Sequence, residues 1–223
     1  MIRDRRRFDP FPALRPSFGR WLLLVLVPLA GASGAFGAER QSHGFAFEER
    51  VRDHLFDRGY TDEWDIPGEA NLVHPGIPVS VKYIRWGSPV YLGDAVRQRS
   101  IDHPFELVVG FYRDADGEKR TVAIHDLVIG PDRWESLWGS VSRGDLVAFS
   151  EKIRTGSIAS ARSYARGRAA ELRDRSGGIS INPKIDANQR RIQCSIPFTV
   201  FFEKLVRADP AEQDPPTLWG RPW

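Results

Sequence analysis

Lys82 stands in the apolar run of residues 77–84, Ile-Pro-Val-Ser-Val-Lys-Tyr-Ile. A strand alternates its faces, so Ser80, Lys82 and Ile84 share one side and Val79, Val81 and Tyr83 the other. An amine in such a run needs either solvent or a partner. The solvent face of an edge strand would serve, and Pro78 permits an edge because proline is tolerated at strand starts and margins. A partner is also at hand in the chain. Residues 60–68 read as a short strand ended by Pro67 and Gly68, with Trp64 and Ile66 on one face and Asp65 on the other. A strand, a turn and a second strand would bring Asp65 beside Ser80 and Lys82.

A third charged group precedes them. Ser42 is a helix N-cap signal and Gly59 a helix stop, enclosing Phe45, Phe47, Val51, Leu55 and Phe56. At about 100° per residue, Glu48 falls inside the apolar arc and Glu49 at its rim. Glu48 is therefore the acid turned toward the protein body, where a carboxylate requires a metal or a cation. Arg52, four residues on, could be that cation in an ordinary helical ion pair.

An acid on a first helix, an aspartate closing a short strand and a lysine inside the next strand resemble the catalytic core of the restriction-endonuclease-like (PD-(D/E)XK) nucleases, over about residues 42–130. The resemblance implies an α/β fold with a mixed central sheet flanked by helices. It places Glu48 in the first-helix acidic position, Asp65 in the motif aspartate position and Lys82 in the motif lysine position. By the same resemblance, Glu48 and Asp65 would hold Mg²⁺, or Mn²⁺ in its place, and Lys82 would orient a water or offset developing charge. Gln98 would contact the nucleophile or a phosphate, although an exposed helix glutamine needs no such role. The implied partner is DNA, with RNA second. Ser80 departs from the pattern, since a Glu or Asp usually stands two residues before the lysine. A non-catalytic descendant that binds DNA or another anion is compatible with that loss.

Charge is distributed unevenly. The formal net charge of +3 arises in the first 38 residues, which carry +4, so residues 39–223 carry −1. Global basicity therefore gives no argument for nucleic acid. Residues 151–193, however, hold ten Lys or Arg against four acids, and a basic stretch this dense is a candidate phosphate-binding surface. Within it, Lys184, Arg190, Arg191 and Gln193 lie around a hairpin and could make phosphate and base-edge contacts, or simply form a solvated face.

The surrounding elements follow from punctuation. Helix is expected at about 43–58, and strands at 60–66 and 77–85. Gly93 and Asp94 signal a short helix carrying Gln98. Asp116 and Gly117 form a hairpin turn between strands 105–113 and 120–129. Pro131 opens a helix, and further helices are expected at 146–153 and 158–175. A strand pair at 179–185 and 191–202 closes the globular region, and a proline-rich tail, residues 208–223, is expected to be loose with Trp219 and Trp223 docking. Cys194 is the only cysteine, so neither an internal disulfide nor a cysteine zinc site is available. His43, His54, His74, His103 and His125 show no metal-ligand spacing.

Residues 1–38 read as a separate unit: six arginines, an apolar run at 21–30 and small residues at 31–38, the order of a secretory signal peptide. Its apolar run is short of the about 20 residues that a membrane-spanning helix needs. An exported or membrane-anchored location follows if this leader is real, and a cytoplasmic one if the start is misassigned. Residues 39–207 are then one restriction-endonuclease-like domain.

Overall fold

A computed structural model describes residues 44–52 and 64–223. The leader, and the portions of the first expected helix and of the 60–66 strand that fall outside those residues, lie beyond this description. The chain is a mixed α/β protein built on two three-stranded sheets. One has the order β1-β3-β4, from Val79–Arg85 (β1), Phe105–Ala115 (β3) and Glu118–Ile129 (β4). The other has the order β2-β6-β5, from Val90–Asp94 (β2), Arg190–Ile196 (β6) and Ser180–Ile185 (β5). The expected single central sheet is thus divided in two.

The first sheet is mixed. β1 runs parallel to β3, with Val79 opposite Glu106 and Lys82 opposite Val109, while β3 and β4 form an antiparallel hairpin. The hairpin closes on Asp116 and Gly117, whose φ values of 52° and 82° are those of the two-residue turn that matches strand twist. β3 is buried without a break from Phe105 to Phe111, because both faces of this central strand are covered. β1 occupies an edge. Its only further pairing among the described residues is an antiparallel bridge from Val79 to Ile66; of the strand expected at 60–66, residues 60–63 lie outside the described residues.

Each face of this sheet has its own core. Val79, Val81, Val108 and Ile124 pack with Phe47 and Val51 of α1 (residues 44–52) and with Leu218 from the tail. The opposite face, through Leu107, Val109 and Phe111, joins the larger core made with the second sheet and helices α3 (Pro131–Trp138), α4 (Arg143–Arg154) and α5 (Ile158–Arg175). These helices begin where their caps dictate: Pro131 at the first turn of α3, a Ser142/Asp145 capping box on α4, and Ser157 on α5. Asp94 caps the short α2 (Ala95–Arg99) through the Arg97 amide.

Two expectations change at the C-terminal end. Residues 198–206, partly expected as strand, are helical after Pro197, ending in a wide turn over Phe201–Val206 that buries Phe201, Phe202 and Leu205. An unbroken apolar run carries no period to separate strand from helix. The tail is not loose. Gln213 exchanges hydrogen bonds with Ile124, Leu218 is fully buried in the β7–β8 hairpin (Thr217–Leu218 and Arg221–Pro222), and Trp219 and Trp223 dock on the α1-side core. No described helix is long and apolar enough to cross a membrane.

Candidate active site on the open edge of the first strand

The site is set by the edge of β1 that, among the described residues, is paired only at Val79. Along a strand, residues alternate in directing both backbone groups to one side or the other. Val79 points both of its groups outward and exchanges them with Ile66 at 2.8 and 3.1 Å. Val81 is the next outward residue, and Asp65 and Lys82 meet there. Asp65 Oδ2 accepts the Val81 amide at 2.5 Å, the Ser80 hydroxyl at 3.3 Å and the Lys82 ammonium at 3.1 Å. Lys82 Nζ also donates to the Val81 carbonyl at 2.8 Å. The ion pair therefore closes the edge at one residue, and Lys82 bends from its sheet face round to the margin. Strand alternation told which face Lys82 leaves; it could not tell which edge its ammonium would reach.

Glu48 approaches from α1. The helix is seated by Phe47, whose ring stacks on Tyr83 at 4.3 Å and lies 5.0 Å from Trp223. Gly110 makes the space, since a Cβ there would overlap the Phe47 ring. Glu48 reaches Arg52 at 3.5 Å, the helical pair open to it from sequence. Its carboxyl is nevertheless held above the ordinary range, first by burial and then by the charge of Asp65, with Lys82 and Arg52 opposing. Glu48, Asp65 and Lys82 thus act on one another electrostatically although three separate segments supply them.

Could two carboxylates here hold a divalent cation? Asp65 directs all its hydrogen bonds through Oδ2, and among the described residues neither Asp65 Oδ1 nor Glu48 Oε1 receives one. Burial is the larger cause of the upward shift at Glu48 and the charge of Asp65 the second; a bound cation would relieve that second part. Mg²⁺ is commonly held by one or two carboxylates with water and substrate phosphate completing its shell, so the residues present fit such an ion. Among the described residues no group of three or more His, Cys, Asp or Glu side chains is clustered for metal binding, so any such ion would rest on no more than these two carboxylates, with water and substrate completing its shell.

The other residues singled out from sequence are placed elsewhere. Gln98 is buried rather than exposed, its carboxamide donating to the Leu92 carbonyl at 3.0 Å and its backbone carbonyl accepting from Trp134. No described contact joins it to Glu48, Asp65 or Lys82. Arg190 donates to the carbonyls of Arg154 and Gly156 beyond the end of α4, and Arg191 to the Gln189 side chain. Gln193 pairs within its sheet between Asp94 and Asn182. Lys184 borders an open groove beside α5.

One buried charge escaped the sequence reading. Glu106 is fully buried and accepts from Asn71 at 2.8 Å and from Trp219 at 2.6 Å, and its Oε2 lies 3.1 Å from His74 Nδ1. Asp126 accepts the Trp219 amide at 2.9 Å, and its carboxyl is pushed up by burial. These contacts bind the tail to the sheet. The signal was available, an acid at the head of an apolar strand, and is the same kind of signal that marks Lys82.

The fold and site together define a mixed α/β protein with an aspartate–lysine pair on an open parallel-strand edge and a second, half-buried acid beside it. Comparisons with protein-family models, curated proteins and solved structures return no match to this chain.

Proposed function

We propose that the chain is a metal-dependent nuclease that hydrolyses phosphodiester bonds in DNA, with Glu48 and Asp65 as the cation-holding acids and Lys82 as the assisting amine. The observation that carries the reading is the 3.1 Å meeting of Asp65 with Lys82, 17 residues apart in sequence, beside Glu48, an acid raised first by burial and then by the charge of Asp65. A perturbed acid next to a fixed ion pair at a strand edge is a feature that functional sites share.

A bound Mg²⁺ would supply Lewis-acid polarisation of the scissile phosphate and a more acidic water. The chain's own part is positional. Ser80 and the Val81 amide fix one oxygen of Asp65 and leave the other turned free. Glu48, on the helix seated by Phe47 over Gly110, would offer a second carboxylate oxygen. The Lys82 ammonium, anchored on the Val81 carbonyl, offsets negative charge that grows on the phosphate in the transition state. Ser80 contributes a neutral hydroxyl, which donates to Asp65, where a third carboxylate would add charge, so Glu48 would have to supply more of the negative charge for a cation.

A non-catalytic reading has one observation in its favour: Asp65 and Lys82 also satisfy both backbone groups of Val81, which a purely structural edge seal would require. Incubating the purified protein with supercoiled plasmid and single-stranded DNA in Mg²⁺, Mn²⁺ or EDTA separates the two. The nuclease reading expects nicked and linear products with either metal and none in EDTA. Intact substrate under all conditions would favour the edge seal.

A further inference from the structure

Helix α5 sorts its charges by side. At about 100° and 1.5 Å per residue, Arg162, Arg166 and Arg173 fall within an arc of about 40° and span about 16 Å along the axis. Ala161, Ala165, Ala169 and Leu172 form the adjoining buried stripe. Beyond it, Arg168 and Arg175 are both committed to acids, pairing with Asp145 and Glu171. The three arginines of the arc have no such commitment: among the described residues none forms an ion pair with a carboxylate. Arg162 donates to the Ile185 carbonyl at 2.9 Å and acts on Asp186 only through its charge. Of the two acids on this helix, Glu171 lies on the far side with Arg168 and Arg175, and Asp174 is exposed and, among the described residues, forms no ion pair with the arc.

The arc overlooks a cavity of about 590 Å³ between α5 and the edge strand β5. Its floor is small and apolar, from Ala165, Ala169, Ile181 and Pro183, and its rim is Arg162, Arg166 and Arg173 facing Lys184, with no carboxylate in the lining. Four cations around an open trough without an acid would repel one another in the free protein, a cost that an anionic chain laid along the trough removes. Guanidinium groups bind phosphate oxygens in a fork, and two arginines four residues apart on a helix repeat at about 6 Å, so the stripe suits successive anions on one strand. The absence of aromatic rings from the lining argues against base stacking as the means of holding a single strand and favours contact with the backbone.

We infer that the α5–β5 groove is a nucleic-acid backbone site, in which Arg162, Arg166, Arg173 and Lys184 hold phosphates of a duplex without reading its sequence. The inference rests on the nuclease reading and deepens it by naming where the substrate's backbone is held. It also shifts the weight of that place from the 184–191 hairpin to α5, keeping Lys184 but not Arg190, which is engaged with the Arg154 and Gly156 carbonyls at and just past the end of α4.

The test is fluorescence anisotropy with labelled duplex oligonucleotides of unrelated sequence, in EDTA so that cleavage plays no part. Arg166→Gln/Arg173→Gln is the informative variant because neither side chain makes a described intramolecular bond, whereas Arg162 supports β5. Relative to the full-length wild type, this variant should weaken binding at least about tenfold and reduce the slope of log affinity against log salt by about 2, at roughly 0.9 for each phosphate no longer neutralised. Arg120→Gln/Arg221→Gln, an equal charge change away from the groove, should shift affinity less than about twofold. Asp65→Asn should bind like wild type, so loss of cleavage and loss of binding are separable. Equal effects of the two double variants, an unchanged salt slope, or tighter binding of a polyglutamate peptide than of DNA at matched charge would each overturn the inference.

Discussion

Asp65→Asn divides the structural role of the site from its chemistry. The carboxamide oxygen can still accept from the Val81 amide and the Ser80 hydroxyl, which stand at 2.5 and 3.3 Å from Asp65 Oδ2, but the charge that attracts Lys82 and a cation is gone. The part removed is one partly exposed ion pair, with side chains 27% and 19% accessible, worth about 0.2–1 kcal/mol. Together with weaker hydrogen bonds to a neutral acceptor, the total should be about 1–2 kcal/mol. For a chain of this length that lowers the unfolding midpoint by about 2–8 °C. Asp65→Ala also strands the Val81 amide, and should cost about 2–4 kcal/mol. Cleavage should respond in a different order of magnitude. Removing a cation-holding acid takes away several kcal/mol of transition-state stabilisation, or about 10³-fold in rate at about 1.36 kcal/mol per decade. The assay pairs urea unfolding with plasmid-cleavage rates for wild type, Asp65→Asn and Asp65→Ala under conditions where all are folded. Cleavage by Asp65→Asn within a few-fold of wild type would refute the reasoning, and so would activity losses that merely track stability.

Other perturbations follow from particular contacts. Gly110→Ala should displace Phe47 and with it Glu48, costing about 1–3 kcal/mol by overpacking and reducing cleavage; Phe47→Leu in the same chain should recover part of both, and a strictly additive double variant would contradict the packing. His125 lies among Phe111, Phe201 and Phe202 with Nε2 buried and unpartnered, and burial lowers its pKa from 6.5 to about 4. Between those values the unfolded chain binds the extra proton, so stability should fall by up to about 3 kcal/mol as pH drops from about 6.5 toward 4; His125→Leu should flatten this part of the pH profile, and an unchanged profile would refute it. Asp145 joins the α4 cap to Arg168 and Arg175, which hold its carboxyl well below the usual range. Asp145→Ala should cost about 2 kcal/mol in chemical denaturation, about 1 from the cap and the rest from the ion pairs, and a cost below about 0.5 kcal/mol would show the network to be solvated ornament.

Much of this architecture is written in local chemistry. The Asp116-Gly117 turn specifies the β3–β4 hairpin, Ser157 begins α5, and the alternation of residues 79–84 gives β1 two distinct faces. The meeting of Asp65 with Lys82 follows from a turn between two apolar stretches. Harder to read was everything decided by distant contacts. Nothing in the apolar run from Ile196 to Phe202 says where strand stops and helix begins, and Pro197 alone was a weak stop. The division into two sheets depends on which strands β6 and β3 choose as neighbours, and sequence periodicity carries no such information. Prolines suggested a loose tail, yet Leu218 is buried in the core that Phe47 and Val51 line, and Trp219 donates to Asp126 and Glu106. Gln98, offered by the sequence as a site residue or a surface glutamine, is neither, because β2 presents it with the Leu92 carbonyl. The sorted arginines of α5 were visible as a basic stretch; only their pairing with Asp145 and Glu171 on one side exposes the other side as unneutralised.

The central claim is that Glu48 and Asp65 are paired to hold a divalent cation beside Lys82. The most direct test is a Mn²⁺ titration of the full chain followed by electron paramagnetic resonance, which reports free and bound metal without requiring turnover. The account predicts a saturable site on the wild type that is lost in Asp65→Asn and strongly weakened in Glu48→Gln, with Lys82→Ala still binding the metal. Binding that is absent from the wild type, or that persists unchanged when both carboxylates are neutralised, would contradict it.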